Sequence, residues 1–216
     1  MKSSILKHLL TMLKKRFKTL CKNYTDNEQI IELLWEKIEI KYTNPNRYYH
    51  SLEHLEYIYK ELEEIELNHI LEFSIFYHDI IYDVKNRDNE EQSAKIATIE
   101  LSKLNVPENI KTEVSQLILE TKTHQASSEQ NRLFLDADLA ILGDNYLEYR
   151  NYICNIRKEY TIYNDEIYNS GRMKVLEKFL EKEKIYQSEY FYEKYEKKAK
   201  YNLNKEYKEI KARYSI

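Results

Sequence analysis

The chain has 216 residues, room for one compact domain, and its net charge of −3 gives no overall case for nucleic-acid binding. Only 2 Gly and 2 Pro are present, too few for the many turns of a sandwich or barrel, while 42% hydrophobic and 13% aromatic residues exclude a disordered chain. Cys21 and Cys154 lie far apart, form no metal-type pair and no disulfide framework, and fit a reducing, cytoplasmic setting.

Helical periodicity runs almost throughout, so the predicted fold is all-α: a single compact helical bundle with a core at about 27–180. The first predicted helix covers 3–22, with Ile5, Leu9, Leu10, Leu13, Phe17 and Leu20 at helical spacing. Up to Tyr24 it carries basic residues and no acidic one. Such a helix reads as the first amphipathic element of the domain, and a membrane-surface or organelle-targeting helix is the alternative. A second helix covers 27–41, opened by Thr25, Asp26 and Asn27 as cap material. A break at 43–46 precedes a third helix at 51–67 and a mostly apolar fourth at 70–83. The fifth begins after Asp88, where Glu91 three residues on suggests a capping box, and ends before Pro107. The sixth runs over 108–123. Residues 126–132 read as a loop and 133–142 as a short apolar helix ended by Gly143. A long helix then reaches about 168, broken by Ser170 and Gly171. Two or three more helices complete the chain, the last rich in Lys, Glu and Tyr, and the C-terminal helices at 186–213 pack on the core. No stretch approaches the roughly 18 apolar residues of a spanning helix.

Three of these segments carry polar residues that an apolar helix does not explain. His50 and His54 are four apart, which places them on one face of a helix. His78 and Asp79 interrupt the apolar run 73–82, with Asp83 four residues after Asp79. Asp136 and Asp138 interrupt the apolar run 134–142. Burying such groups is costly unless they are paired or bind a metal, so the three insertions are expected to meet. Imidazole with carboxylate suits a divalent ion such as Mn, Mg, Zn, Co or Fe, one or two of them.

The order His, then His-Asp, then Asp on helices resembles the HD superfamily of metal-dependent phosphohydrolases. The likeness extends to Arg47, Tyr49, His50 and His54, to Asp88, Asn89 and Glu90, to Leu135, Asp136, Ala137, Asp138 and Gly143, and to Ile156, Arg157, Glu159 and Tyr160. It implies a single HD-type domain that hydrolyses a phosphoester of a small nucleotide-like substrate through metal-activated water. It implies His54, His78, Asp79 and Asp138 as metal ligands and His50 as the acid that protonates the leaving oxygen. His50 as ligand is the alternative register, and Asp136 is the reserve for Asp138. Asp83 falls where related hydrolases place an acidic residue that orients water. His124 resembles an added histidine used for substrate or for a second metal, although the full two-metal pattern is incomplete.

Lys122, Arg157 and Arg172 are candidate phosphate contacts, and each also suits a helix–helix salt bridge. Asn89 and Glu90 are candidates to hydrogen-bond a ligand histidine, with a simple helix cap as the alternative. His8 and His69 read as surface residues. Two other classes fit the same residues: a metal- or nucleotide-binding module without turnover, and a di-iron oxygenase. Substrate, native metal and oligomeric state are not set by the sequence.

Overall fold

A computed structural model describes residues 2–214, with side chains described from 6 to 213. The Ile5 position of the first apolar stripe therefore lies outside the described side chains. Among the described residues the fold is all-α, with ten α-helices and no strand. The chain forms two compact units, Met1–Ala126 and Ser127–Ile216.

The first unit contains α1 (Lys2–Cys21), α2 (Glu28–Tyr42), α3 (Leu52–Glu61), α4 (His69–Tyr77), α5 (Asn89–Lys103) and α6 (Glu108–Glu120). Leu9, Leu13, Phe17 and Leu20 recur at helical spacing on α1 and are buried, which sets that helix against α2, α3 and α4. Phe17 meets Phe76 edge-on at 5.1 Å and Trp35 at 6.0 Å. The apolar stripe that a membrane surface would require is thus used inside the unit. Lys14, Lys18 and Lys22 on the other face pair with Glu28 and Glu32 of α2. Asn27 caps α2 by accepting from the amides of Gln29 and Ile30.

Two expected helices are shorter in the structure. The third stops at Glu61, and the fourth stops at Tyr77 with His78 as its C-cap, so Asp79 and Asp83 do not share a helical face. The capping box at Asp88 is absent: its carboxylate accepts from the Gln92 side chain instead of a backbone amide.

The second unit contains α7 (Glu129–Leu139), a 3-10 turn (Ala140–Gly143), α8 (Tyr146–Glu159), α9 (Asp165–Glu181) and the 26-residue α10 (Glu189–Tyr214). After residue 171 the chain completes α9 and then forms the single long α10, two helices where two or three were expected. Gly143 keeps a negative φ, so its role is steric: an added Cβ would lie 2.5 Å from the Tyr195 Cβ and 2.7 Å from the Tyr195 carbonyl oxygen. The break expected at Ser170 and Gly171 falls earlier, at 160–164. Arg157 donates there to the carbonyl of the C-cap Tyr160 at 3.0 Å and to that of Tyr163 in the loop at 3.1 Å, and Asn164 caps the next helix. Inside this unit Arg172 and Glu206 form a buried two-point ion pair at 2.8 and 2.9 Å, and the Tyr149 hydroxyl donates to the same carboxylate.

Candidate metal centre

His54 occupies the first turn of α3. Ser51 caps that helix by accepting from the Glu53 amide, and the His54 amide closes the turn onto the Ser51 carbonyl at 3.1 Å. His50 lies before this cap, so its proximity to His54 comes from the loop and not from a shared helix; the two rings are 5.9 Å apart. His78 ends α4 with its amide still bonded to the Ser74 carbonyl at 2.9 Å. Its Nδ1 lies 3.1 Å from the Ile75 carbonyl, a group that can only accept. That contact favours the proton on Nδ1 and turns Nε2 toward His54 and Asp79, the tautomer a metal ligand needs.

The Nε2 atoms of His54 and His78 face each other at 3.2 Å. Asp79 follows in the turn, and its Oδ2 lies 3.3 Å from His78 Nε2, 3.9 Å from His54 Nε2 and 4.0 Å from His50 Nε2. Three imidazole nitrogens thus converge on one carboxylate oxygen. The side chains of His54 and His78 are each 1% exposed, whereas His50 is 18% exposed, so the third ring is the one solvent reaches. The His50 ring stacks on Tyr82 at 3.9 Å and meets Tyr49 edge-on at 5.0 Å.

Asp136 and Asp138 of α7 are two residues apart, roughly 200° around a helix of 3.6 residues per turn. Asp136 is fully buried and its two oxygens accept from the Gln187 amide, the Ser188 amide and the Ser188 hydroxyl at 2.6–3.0 Å. It is therefore the anchor of the residues leading into α10. Asp138, half-buried on the same helix, is the other candidate carboxylate. Within the first unit, His54, His78 and Asp79 bring together two imidazoles and a carboxylate, a donor set that fits a borderline divalent cation.

The other expected site residues have structural partners. Asp83 is exposed, and its carboxylate accepts from the Lys85 amide at 2.9 Å, holding its own turn. Asn89 bonds both the amide and the carbonyl of Asp83, so its hydrogen bonds support the turn after Asp79 and not a histidine ring. Lys122 donates to Glu91 and to the Arg87 carbonyl, with Glu90 at 3.9 Å, and the bond to Glu91 raises its pKa. Arg157 adds Asp165 to its two carbonyls, and Arg172 is held by Glu206 and the Tyr152 hydroxyl. Both arginines thus serve as contacts between helices of the second unit. His124 takes a left-handed backbone, φ 51°, at the end of the turn after α6.

Arg47 and Ser93 escaped the reading of the sequence as site residues. Arg47 donates to the carbonyls of His50, Asp79 and Ile80. The Ser93 hydroxyl accepts from the Ile81 amide and donates to its carbonyl. Their signal was faint, since a lone Arg and a lone Ser near a histidine pair carry no spacing rule. No family model, curated protein or solved structure matches this chain.

Proposed function

We propose that this chain is an HD-type metal-dependent phosphohydrolase acting on a small, nucleotide-like phosphoester. The observation that carries the reading is the meeting of His54 Nε2 and His78 Nε2 at 3.2 Å beside Asp79 Oδ2, with the His78 tautomer fixed from behind. Two buried imidazole nitrogens at that distance call for a shared proton or a cation beside them. The order of these residues in the chain, which resembles the HD superfamily, supports the same reading.

His54, His78, Asp79 and Asp138 would hold the ion. When bound, a divalent ion supplies positive charge that polarises a phosphoryl oxygen and makes water a better nucleophile near neutral pH. The chain's own residues divide the remaining work. Asp79, ringed by three imidazoles, is placed to accept a hydrogen bond from the attacking water. His50 is the solvent-reached ring, and its position 4.0 Å from Asp79 suits it to protonate the leaving oxygen. Stacking on Tyr82 at 3.9 Å holds the plane of the His50 ring.

The test joins metal analysis of the purified protein to a substrate panel of nucleoside monophosphates, cyclic nucleotides and ppGpp with Mn, Mg and Co. The wild type should carry metal and cleave at least one ester. His78→Ala should lose both, and His50→Ala should keep metal while its turnover falls by about 100-fold or more. Metal retained in His78→Ala sinks the site. Tight nucleotide binding without turnover would make the chain a binding module, and iron with oxygen uptake would make it an oxygenase.

A further inference from the structure

Resting on that reading, we infer that Arg47 is a positioning residue that locks the His50 loop and the Asp79 turn into one register. Neither segment is helical. Residues 43–51 connect α2 to α3, and residues 78–88 connect α4 to α5. A loop's backbone has no ladder of its own to fix it, so the placement of His50 and Asp79 depends on side chains that grip the main chain.

The guanidinium of Arg47 supplies that grip across both segments. One terminal nitrogen donates to the His50 carbonyl at 3.3 Å and to the Asp79 carbonyl at 2.7 Å; the other donates to the Ile80 carbonyl at 3.2 Å. The group lies over the ring of Tyr42 at 4.9 Å and beside that of Tyr82 at 5.7 Å. Tyr82 is also the ring on which His50 stacks, so Arg47, Tyr82 and His50 form one packed unit. Ser93 grips Ile81 and Asn89 grips Asp83, while the Asp79 and Ile80 carbonyls accept from Arg47. Arg47 is the member of this set that also reaches the His50 segment. A planar fork can meet three carbonyls at once from a fixed plane; an ammonium on a flexible stem keeps the charge and loses that geometry.

The inference separates from simple fold maintenance by what the metal senses. Arg47→Lys and Arg47→Gln are made in the full chain, with His78→Ala as the control for the site itself. Three readouts are taken: helical circular dichroism with thermal melting, Co(II) affinity by titration, and the visible absorption band of the Co(II)-loaded protein. Both variants should stay helical, bind Co(II) about 10-fold or more weakly, and show a shifted Co(II) band, with kcat lowered more than KM is raised. An unchanged Co(II) affinity and band in both variants overturns the inference, while His78→Ala still reports independently on the site. Loss of helical signal in both variants also overturns it, since Arg47 would then be a residue of the fold. If His78→Ala leaves Co(II) binding intact, it is the phosphohydrolase reading that fails.

Discussion

Both carboxylate oxygens of Asp136 are taken by the amides of residues 187 and 188 and the Ser188 hydroxyl, inside the second unit's core. Removing that carboxylate takes the acceptor from the buried Ser188 amide and from the part-buried Gln187 amide. Asp136→Ala should therefore cost on the order of 3 kcal/mol in urea unfolding without loss of metal content from the folded fraction. Asp138, two residues on and half-buried, should behave in the opposite way: Asp138→Ala should lose metal with a smaller change in stability. If Asp138→Ala keeps full metal content and Asp136→Ala loses it at equal folded fraction, the assignment of the two is reversed. The sequence left these two open because both interrupt the same apolar run. What separates them is residue 188, fifty residues away, and a spacing within α7 cannot report it.

At the scale of the element, the two glycines make contrasting cases. Gly143 lies against Tyr195 of α10, where a Cβ would be 2.5 Å from another Cβ. Gly143→Ala should thus destabilise by about 1–3 kcal/mol through overpacking. Gly171 sits in the exposed face of α9 with nothing within 4 Å of a would-be Cβ. Gly171→Ala should stabilise by roughly 0.5–1 kcal/mol, because it removes only the entropy of glycine in a helix. Thermal melts of the pair should move in opposite directions, and a shared direction would refute both accounts. The same two positions show how far helix boundaries could be read. Cap chemistry was legible where it is local, as at Asn27 for α2. The end of α8 was not, because Arg157 holds the carbonyls of its C-cap and of the loop after it, and the pair Ser170–Gly171 offered a louder but empty signal. The end of α4 was missed for a related reason. The run Ile80, Ile81 and Tyr82 continues the apolar pattern, yet Arg47, Ser93 and Asn89 hold its backbone as a turn. The histidines and Asp79 were legible as residue types, whereas the loop geometry that brings them together was not.

Over the whole molecule, stability as a function of pH combines carboxylates pushed in opposite directions. Glu32 accepts from Lys14 and Lys18, and those bonds lower its pKa below the ordinary 4.5. In the window between its folded value and 4.5 the unfolded chain holds the proton, so stability rises with pH, is fully present above 4.5, and is lost as pH falls through the folded value. Glu72 is half-buried on α4, and burial raises its pKa above 4.5. There the folded chain holds the proton, so stability falls as pH rises from 4.5 through the folded value. Two isosteric variants follow from these signs. At pH 7 Glu32→Gln should be less stable than the wild type, by no more than about 1 kcal/mol for so exposed a pair. At the same pH Glu72→Gln should be more stable, since a neutral amide avoids the desolvation that the carboxylate suffers. In acid below both folded values the three proteins should converge, because every carboxyl in question is then protonated. Salt provides a second separation: at 1 M, where the screening length falls to about 3 Å, the Glu32→Gln deficit should shrink while the Glu72→Gln gain persists. Urea unfolding at pH 7 and in acid, each with and without salt, measures all of this, and a Glu72→Gln variant that is less stable at pH 7 would show that its carboxylate has a partner worth more than its burial costs.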